Sequence, residues 1–194
     1  LQKYYEYSPF SPFPRYRGDY VHRWDNLHKH HHPNGCNLSV KREIFFKVGG
    51  FRLLGGGEDV DFLLRLTKLG LEVKYDPNLI VYHNHRSTLK SMVHQHFRLG
   101  ASYSKIIPKY FLSPLIRHYL LFSLGILMML LLLIISPLFT IFIFAASMST
   151  FYAARTRDLR MTIAYPLLDL ILRSTVFIGL ICGFIKLKKF SEVW

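Results

Sequence analysis

The chain has 194 residues, 51% of them hydrophobic, yet it carries 25 Lys and Arg against 12 Asp and Glu, a net charge of +13. That length gives one domain with attachments, and a chain both basic and apolar fits a membrane surface before it fits nucleic acid. Cys36 and Cys182 stand in very different contexts, which excludes a disulfide framework or a CxxC motif and fits a reducing compartment.

Residues 1–34 are rich in Tyr, Phe, Pro and His with little periodicity and read as an irregular segment. They begin at Leu1 with no signal-peptide pattern, as expected of a piece of something longer. His28, His30, His31 and His32 cluster there beside Lys29. No matched ligand spacing or cysteine partner accompanies them, so they read as a solvated basic loop. Asn37–Val40 fits a short strand. Lys41–Val48 fits a short helix, apolar at Ile44, Phe45 and Val48 and closed by Gly49-Gly50.

Gly55-Gly56-Gly57 then gives a loop whose backbone can approach a ligand closely. Glu58, Asp59 and Asp61 follow at the start of an apolar-periodic run through Val60, Leu63, Leu64 and Leu69, predicting a helix from about Asp59 that ends before Gly70. At a helix N-terminus the dipole favours the ionised carboxylate. A carboxylate on a mobile glycine loop is suited to take a proton from a substrate hydroxyl; an acidic helix start with no further role is the plain alternative. Asp61 and Arg65 are one turn apart, the spacing of a structural ion pair.

Glu72–Tyr75 and Leu79–Tyr82 are strand-like, with Asp76-Pro77-Asn78 as the turn. His83 and His85 come next and would share one face of an extended chain, as metal or phosphate contacts or as a solvated pair. Thr88 to about Lys105 reads as a helix leading to the membrane. Short helices alternating with strands give an α/β layer over residues 35–113. Two or three strands make a poor sheet, so this half needs partner strands from elsewhere.

From Tyr119 to Ala154 no residue is charged. One helix of that length would run about 54 Å, too long for a hydrocarbon core of about 30 Å. Ser136-Pro137 divides it, so residues 114–154 read as a transmembrane hairpin, with a single kinked helix as the competitor. Arg117 and His118 on one flank, and Arg155, Arg157 and Arg160 on the other, put both ends and the preceding domain on the cytoplasmic side of the cell membrane. Residues 155–194 hold a basic linker and an apolar segment, Ile163–Ile185, interrupted by Asp169 and Arg173 and followed by Lys186, Lys188 and Lys189. An interfacial or re-entrant helix is favoured there over a third span.

Taken in order, Gly35-Cys36-Asn37-Leu38-Ser39-Val40-Lys41-Arg42, Val48-Gly49-Gly50-Phe51, Gly57-Glu58-Asp59-Val60-Asp61, Arg65-Leu66, Tyr75-Asp76-Pro77 and Val81-Tyr82-His83 resemble the second half of the inverting family 2 glycosyltransferases, which have the nucleotide-sugar-binding GT-A fold. The resemblance is close from about Pro33 to Ser104, and the hairpin and basic tail look like those of membrane-attached members.

It implies that Asp59 is the general base and Glu58 the neighbouring acid that positions acceptor and base. His83, with His85 as alternate, reaches a divalent cation (Mg2+ or Mn2+) or the donor diphosphate. Gly35, Asn37 and Gly57 line the sugar and acceptor pocket. Gln95 and Arg98, implied to be substrate-binding, match a Gln-x-x-Arg-Trp motif in which Leu99 replaces the tryptophan, favouring single addition over polymer synthesis.

The Asp-x-Asp metal motif of the family's first half has no counterpart here, since Asp59-Val60-Asp61 belongs to the base segment. The chain is therefore expected to hold the acceptor half and the membrane attachment, and to be inactive alone. The partners implied are a nucleotide-sugar donor, a lipid-linked or glycan acceptor and the membrane, with no nucleic acid. A non-catalytic membrane scaffold that kept the half-domain, or a membrane protein binding metal through its histidine-rich loop, are the alternatives.

Overall fold

The computed structural model describes residues 20–27, 34–76, 78–156 and 158–185. The His28–His32 cluster and the basic end after Ile185 lie outside the described residues. Within them the order is strand β1 (Tyr20–His22), a 3-10 turn (Gly35–Asn37), helix α1 (Arg42–Val48), helix α2 (Glu58–Lys68), strand β2 (Val73–Tyr75), and helices α3 (Leu89–Tyr110), α4 (Pro114–Ile135), α5 (Pro137–Thr156) and α6 (Leu159–Phe184).

The glycine stops act as their sequence predicts. Gly49 closes α1 at φ 85°, and the amides of Gly49 and Gly50 reach back to the Phe46 and Phe45 carbonyls. At the end of α2 Gly70 does the same at φ 77°, with the Gly70 and Leu71 amides on the Thr67 and Leu66 carbonyls.

The expected α/β layer amounts, among the described residues, to one two-stranded antiparallel ribbon, in which Tyr20 pairs with Tyr75 and His22 with Val73. Strand β1 falls inside the segment read as irregular. Two expected strands do not form. Asn37 ends the 3-10 turn and residues 38–40 follow it without a ladder, and Leu79–Tyr82 has no strand partner either. Leu79, Ile80 and Tyr82 are 62%, 72% and 101% exposed. The reason is the missing neighbour: β propensity expresses packing and pairing, and no described strand lies beside this run.

Val60, Leu63 and Leu64 of α2 form one buried cluster with Ile106, Ile107 and Tyr110 of α3, Leu115 and Ile116 of α4, and Leu180 of α6. Phe62 and Leu66, on the other side of α2, pack with Val48 against α1. Helix α2 is thus enclosed on both faces.

Helices α3 and α6 lie unusually close. A Cβ built on Gly100 would fall 2.0 Å from the Val176 carbonyl oxygen, and one on Gly179 2.2 Å from that of Phe97. Small residues at these crossings let backbone touch backbone. Met92 shares a cluster with Leu168 and Leu172, whereas Ser104 meets Gly183, so the two helices run in the same direction.

Helices α4, α5 and α6 are each long and apolar enough to cross a membrane. The break between α4 and α5 falls at Ser136-Pro137, as expected. Leu115 and Ile116, at the base of α4, sit at the C-terminal end of α3, while Tyr152, near the end of α5, packs beside Met92 near its start. Met92 and Ile107 are about 22 Å apart along α3. The two limbs therefore rise from opposite ends of α3, with large apolar side chains from Leu121 to Ile143 on their outer surfaces.

Candidate active site

Three consecutive glycines precede α2 with φ of 89°, 158° and 68°, a left-handed run that residues with a Cβ adopt only under strain. The loop is also pressed against α3. A Cβ on Gly56 would meet the Arg98 carbonyl at 3.4 Å and Ser102 Oγ at 3.3 Å, and one on Gly57 would meet Leu99 Cδ1 at 3.4 Å. Gly57, expected in the acceptor pocket, thus faces α3 and ends the loop where α2 begins.

Three side chains of α3 hold the loop by its carbonyls. Arg98 Nε donates to the Gly55 oxygen at 2.9 Å, while Ser102 Oγ and Lys105 Nζ donate to the Leu54 oxygen, each at 3.2 Å. Residues 98, 102 and 105 share one helical face, and Phe97, Gly100 and Ser104, which meet α6, occupy the opposite one. Arg98, expected to bind substrate, here fixes the loop that presents the acids. Gln95 Oε1 accepts from Arg86 Nε at 2.9 Å, tying α3 to the segment that carries His83 and His85. Arg86, Ser102 and Lys105 were not singled out from the sequence; the spacing of 98, 102 and 105 was the available signal.

The three acids separate into three environments. Glu58 Oε1 accepts the Gly55 amide at 2.9 Å and closes the loop on itself. Asp61 is buried, accepting from Arg65 Nε at 2.9 Å and from Arg52 at 3.4 Å. Arg65 also donates to the carbonyls of Val48 and, at 2.6 Å, Gly50. The structural pair expected from their spacing is present, and it pins the glycine turn after α1. Tyr110 donates to Asp61 at 3.4 Å, and burial with this carboxylate nearby raises its pKa.

Asp59 is half-buried and faces outward. Its Oδ1 accepts the Val60 amide at 2.9 Å and its Oδ2 accepts the Gly35 amide at 3.0 Å. Gly35 opens an exposed 3-10 turn, and at its end Asn37 Nδ2 donates to the Leu79 carbonyl at 3.0 Å. Asp59, Gly35, Asn37 and the start of the 79–86 segment are therefore linked side by side.

His83 is exposed on that segment, its ring centroid 5.0 Å from that of His85. Burial, and then the charge of His83, lower the His85 pKa. Among the described residues no three His, Cys, Asp or Glu converge on one point. The two imidazoles alone do not make a divalent-cation site.

Comparison with known proteins fits this arrangement. Two curated pre-mycofactocin glycosyltransferases of Mycobacterium tuberculosis, from strains CDC 1551 / Oshkosh and ATCC 25618 / H37Rv, are each 35% identical over 68 residues. The matched stretch is 34% of this chain and 14% of each relative, so it spans about a seventh of the length of those relatives. No solved structure matches the chain. The family model described as glycosyl transferase family group 2 matches residues 21–160, the stretch that holds the glycine loop, all three acids and both of the apolar helices α4 and α5, and the chain belongs to that family.

Proposed function

We propose that this chain supplies the base side and membrane attachment of an inverting glycosyltransferase that moves a sugar from a nucleotide-sugar donor to a lipid-linked or glycan acceptor, working at the cytoplasmic face of the cell membrane. The observation that carries the reading is the division of labour among the acids. Glu58 is committed to the loop amide and Asp61 to Arg65, which leaves Asp59 as the acid beside the exposed Gly35–Asn37 turn.

In this reading the acceptor hydroxyl oxygen attacks the anomeric carbon from the Asp59 side. Asp59 takes the hydroxyl proton as the new C–O bond forms, the bond to the diphosphate breaks, and the nucleoside diphosphate leaves with that electron pair. Glu58 sets the position of Asp59 through the loop. A divalent cation (Mg2+ or Mn2+) would neutralise the departing charge, and it would need ligands beyond His83 and His85 to be held here. Leu99 packs toward Gly57, and a leucine there supports single addition.

In the complete membrane protein, Asp59→Asn is expected to lower transfer at least about 100-fold, while membrane insertion and nucleotide binding stay near those of the parent. Transfer retained by the variant removes Asp59 as the base.

A further inference from the structure

Where α4 leaves the globular half, a cavity of about 530 Å³ opens between the ends of α2 and α3 and the start of α4. Trp24, Phe111 and Leu112 give it apolar walls, and Lys68 and Lys109 line it with positive charge. No carboxylate among the described residues pairs with either lysine; Lys68 Nζ lies 5.9 Å from the Tyr110 ring centre.

Ser113, the capping residue of α4, lines the cavity, so α4 starts at its edge. Pro114 at the first helical position has no amide hydrogen to satisfy. Ser113 holds the capping position, yet its side chain makes no capping bond. Its hydroxyl is fully buried, lines the cavity and has no hydrogen-bond partner. Helix dipoles account for lysines in the last turns of α2 and α3, but they do not account for the unanswered Ser113 hydroxyl beside them.

We propose that this cavity binds the phosphate headgroup of an anionic membrane phospholipid. The Ser113 hydroxyl donates to a phosphate oxygen at the positive end of the α4 dipole, the two lysines neutralise the headgroup, and the acyl chains follow the apolar surface of α4 into the bilayer. The site is separate from the transfer chemistry, because Lys68 lies nine positions past Asp59 on α2, about 14 Å along the helix axis. The pocket therefore holds the protein at the membrane and does not present an acceptor to the base.

The test uses the full chain with Trp194→Phe, so that Trp24 is the single tryptophan. Its emission is followed in detergent during titration with phosphatidylglycerol brominated high on its acyl chains. Saturable quenching is expected, on the order of tenfold tighter than with brominated phosphatidylcholine. Lys68→Gln with Lys109→Gln should weaken it about tenfold, and Lys68→Arg with Lys109→Arg should retain it. Equal quenching by both lipids, or quenching unchanged in the glutamine variant, overturns the proposal. So does full displacement by millimolar inorganic phosphate, which would make this a site for free phosphate. If the double variant fails to fold, Ser113→Ala takes its place, with severalfold weaker quenching expected and an unchanged curve overturning the proposal.

Discussion

Asp61 is 1% exposed, and Arg65, Arg52 and Tyr110 all direct donors at it. Breaking a buried ion pair on one side leaves the other charge unanswered, at a cost of about 3–5 kcal/mol. Asp61→Asn should accordingly lower the thermal midpoint by roughly 10 °C in detergent, followed by circular dichroism. Asp59→Asn should leave the midpoint unchanged, since Asp59 is half-buried and holds only neighbouring amides. Equal midpoints for the two variants would remove the structural role of Asp61. His96 makes a different residue-scale prediction. Burial on α3 pulls its pKa down to about 4 from 6.5, helped by the charge of Arg173, although its contact with the Met92 carbonyl opposes the shift. Between those values the unfolded chain binds a proton that the folded chain refuses, so stability falls as pH drops through that window and levels off below about 4. The loss should approach about 3 kcal/mol, and His96→Gln should flatten the dependence of the thermal midpoint between pH 7 and 4.

At the scale of elements, the contact between α3 and α6 depends on the lack of side chains at Gly100, Gly179 and Gly183. Any Cβ at Gly179 collides with the backbone of Phe97, which a rotamer change cannot relieve. Gly179→Val should drive the helices apart and lower the thermal midpoint by several degrees, whereas Gly125→Val, with nothing near its Cβ, should not. An unaltered midpoint for Gly179→Val would show that the close approach contributes nothing to stability. This contact was hard to read from the sequence because the apolar residues of α6 are spread around the helix, with Asp169 and Arg173 among them, and form no single stripe to aim at α3. The Gly179-x-x-x-Gly183 spacing was the one trace of it. Helices α1 and α2 were legible because their signals are local: periodic apolar residues ended by Gly49 and Gly70. The Asp61–Arg65 pair is likewise one turn of one helix. Strand β1 and the unpaired run at Leu79–Tyr82 were not legible, because a strand is settled by a partner distant in sequence, here Val73–Tyr75 for Tyr20–His22. The loop clamp by Arg98 and Lys105 was missed for the same reason, as it joins residues 43 and 51 positions apart.

For the whole molecule, α6 belongs with the globular half although it follows the membrane hairpin in sequence. Its length runs along α3, and the opposite face of α3 grips the glycine loop beside Asp59. Helix α3 carries Lys90, Arg98, Lys105 and Lys109, so it is no companion for a helix that crosses lipid. The helices α4 and α5 rise from opposite ends of α3 and meet at Ser136-Pro137, so if both cross a bilayer Pro114 and Thr156 share one side and the apex takes the other. We therefore expect α4 and α5 to cross and α6 to lie along the surface with its apolar outer residues, such as Ile178 and Ile181, in the interface. Single-cysteine labelling decides this, with Cys36 and Cys182 first replaced by serine and the protein held in sealed vesicles. Ser136→Cys should react with a membrane-impermeant maleimide from the side opposite to Ser39→Cys. Asp158→Cys and Ile185→Cys, at the two ends of α6, should both react from the same side as Ser39→Cys. If Ile185→Cys instead labels from the side of Ser136→Cys, α6 crosses the bilayer, and its seat along α3 is not its position in the membrane.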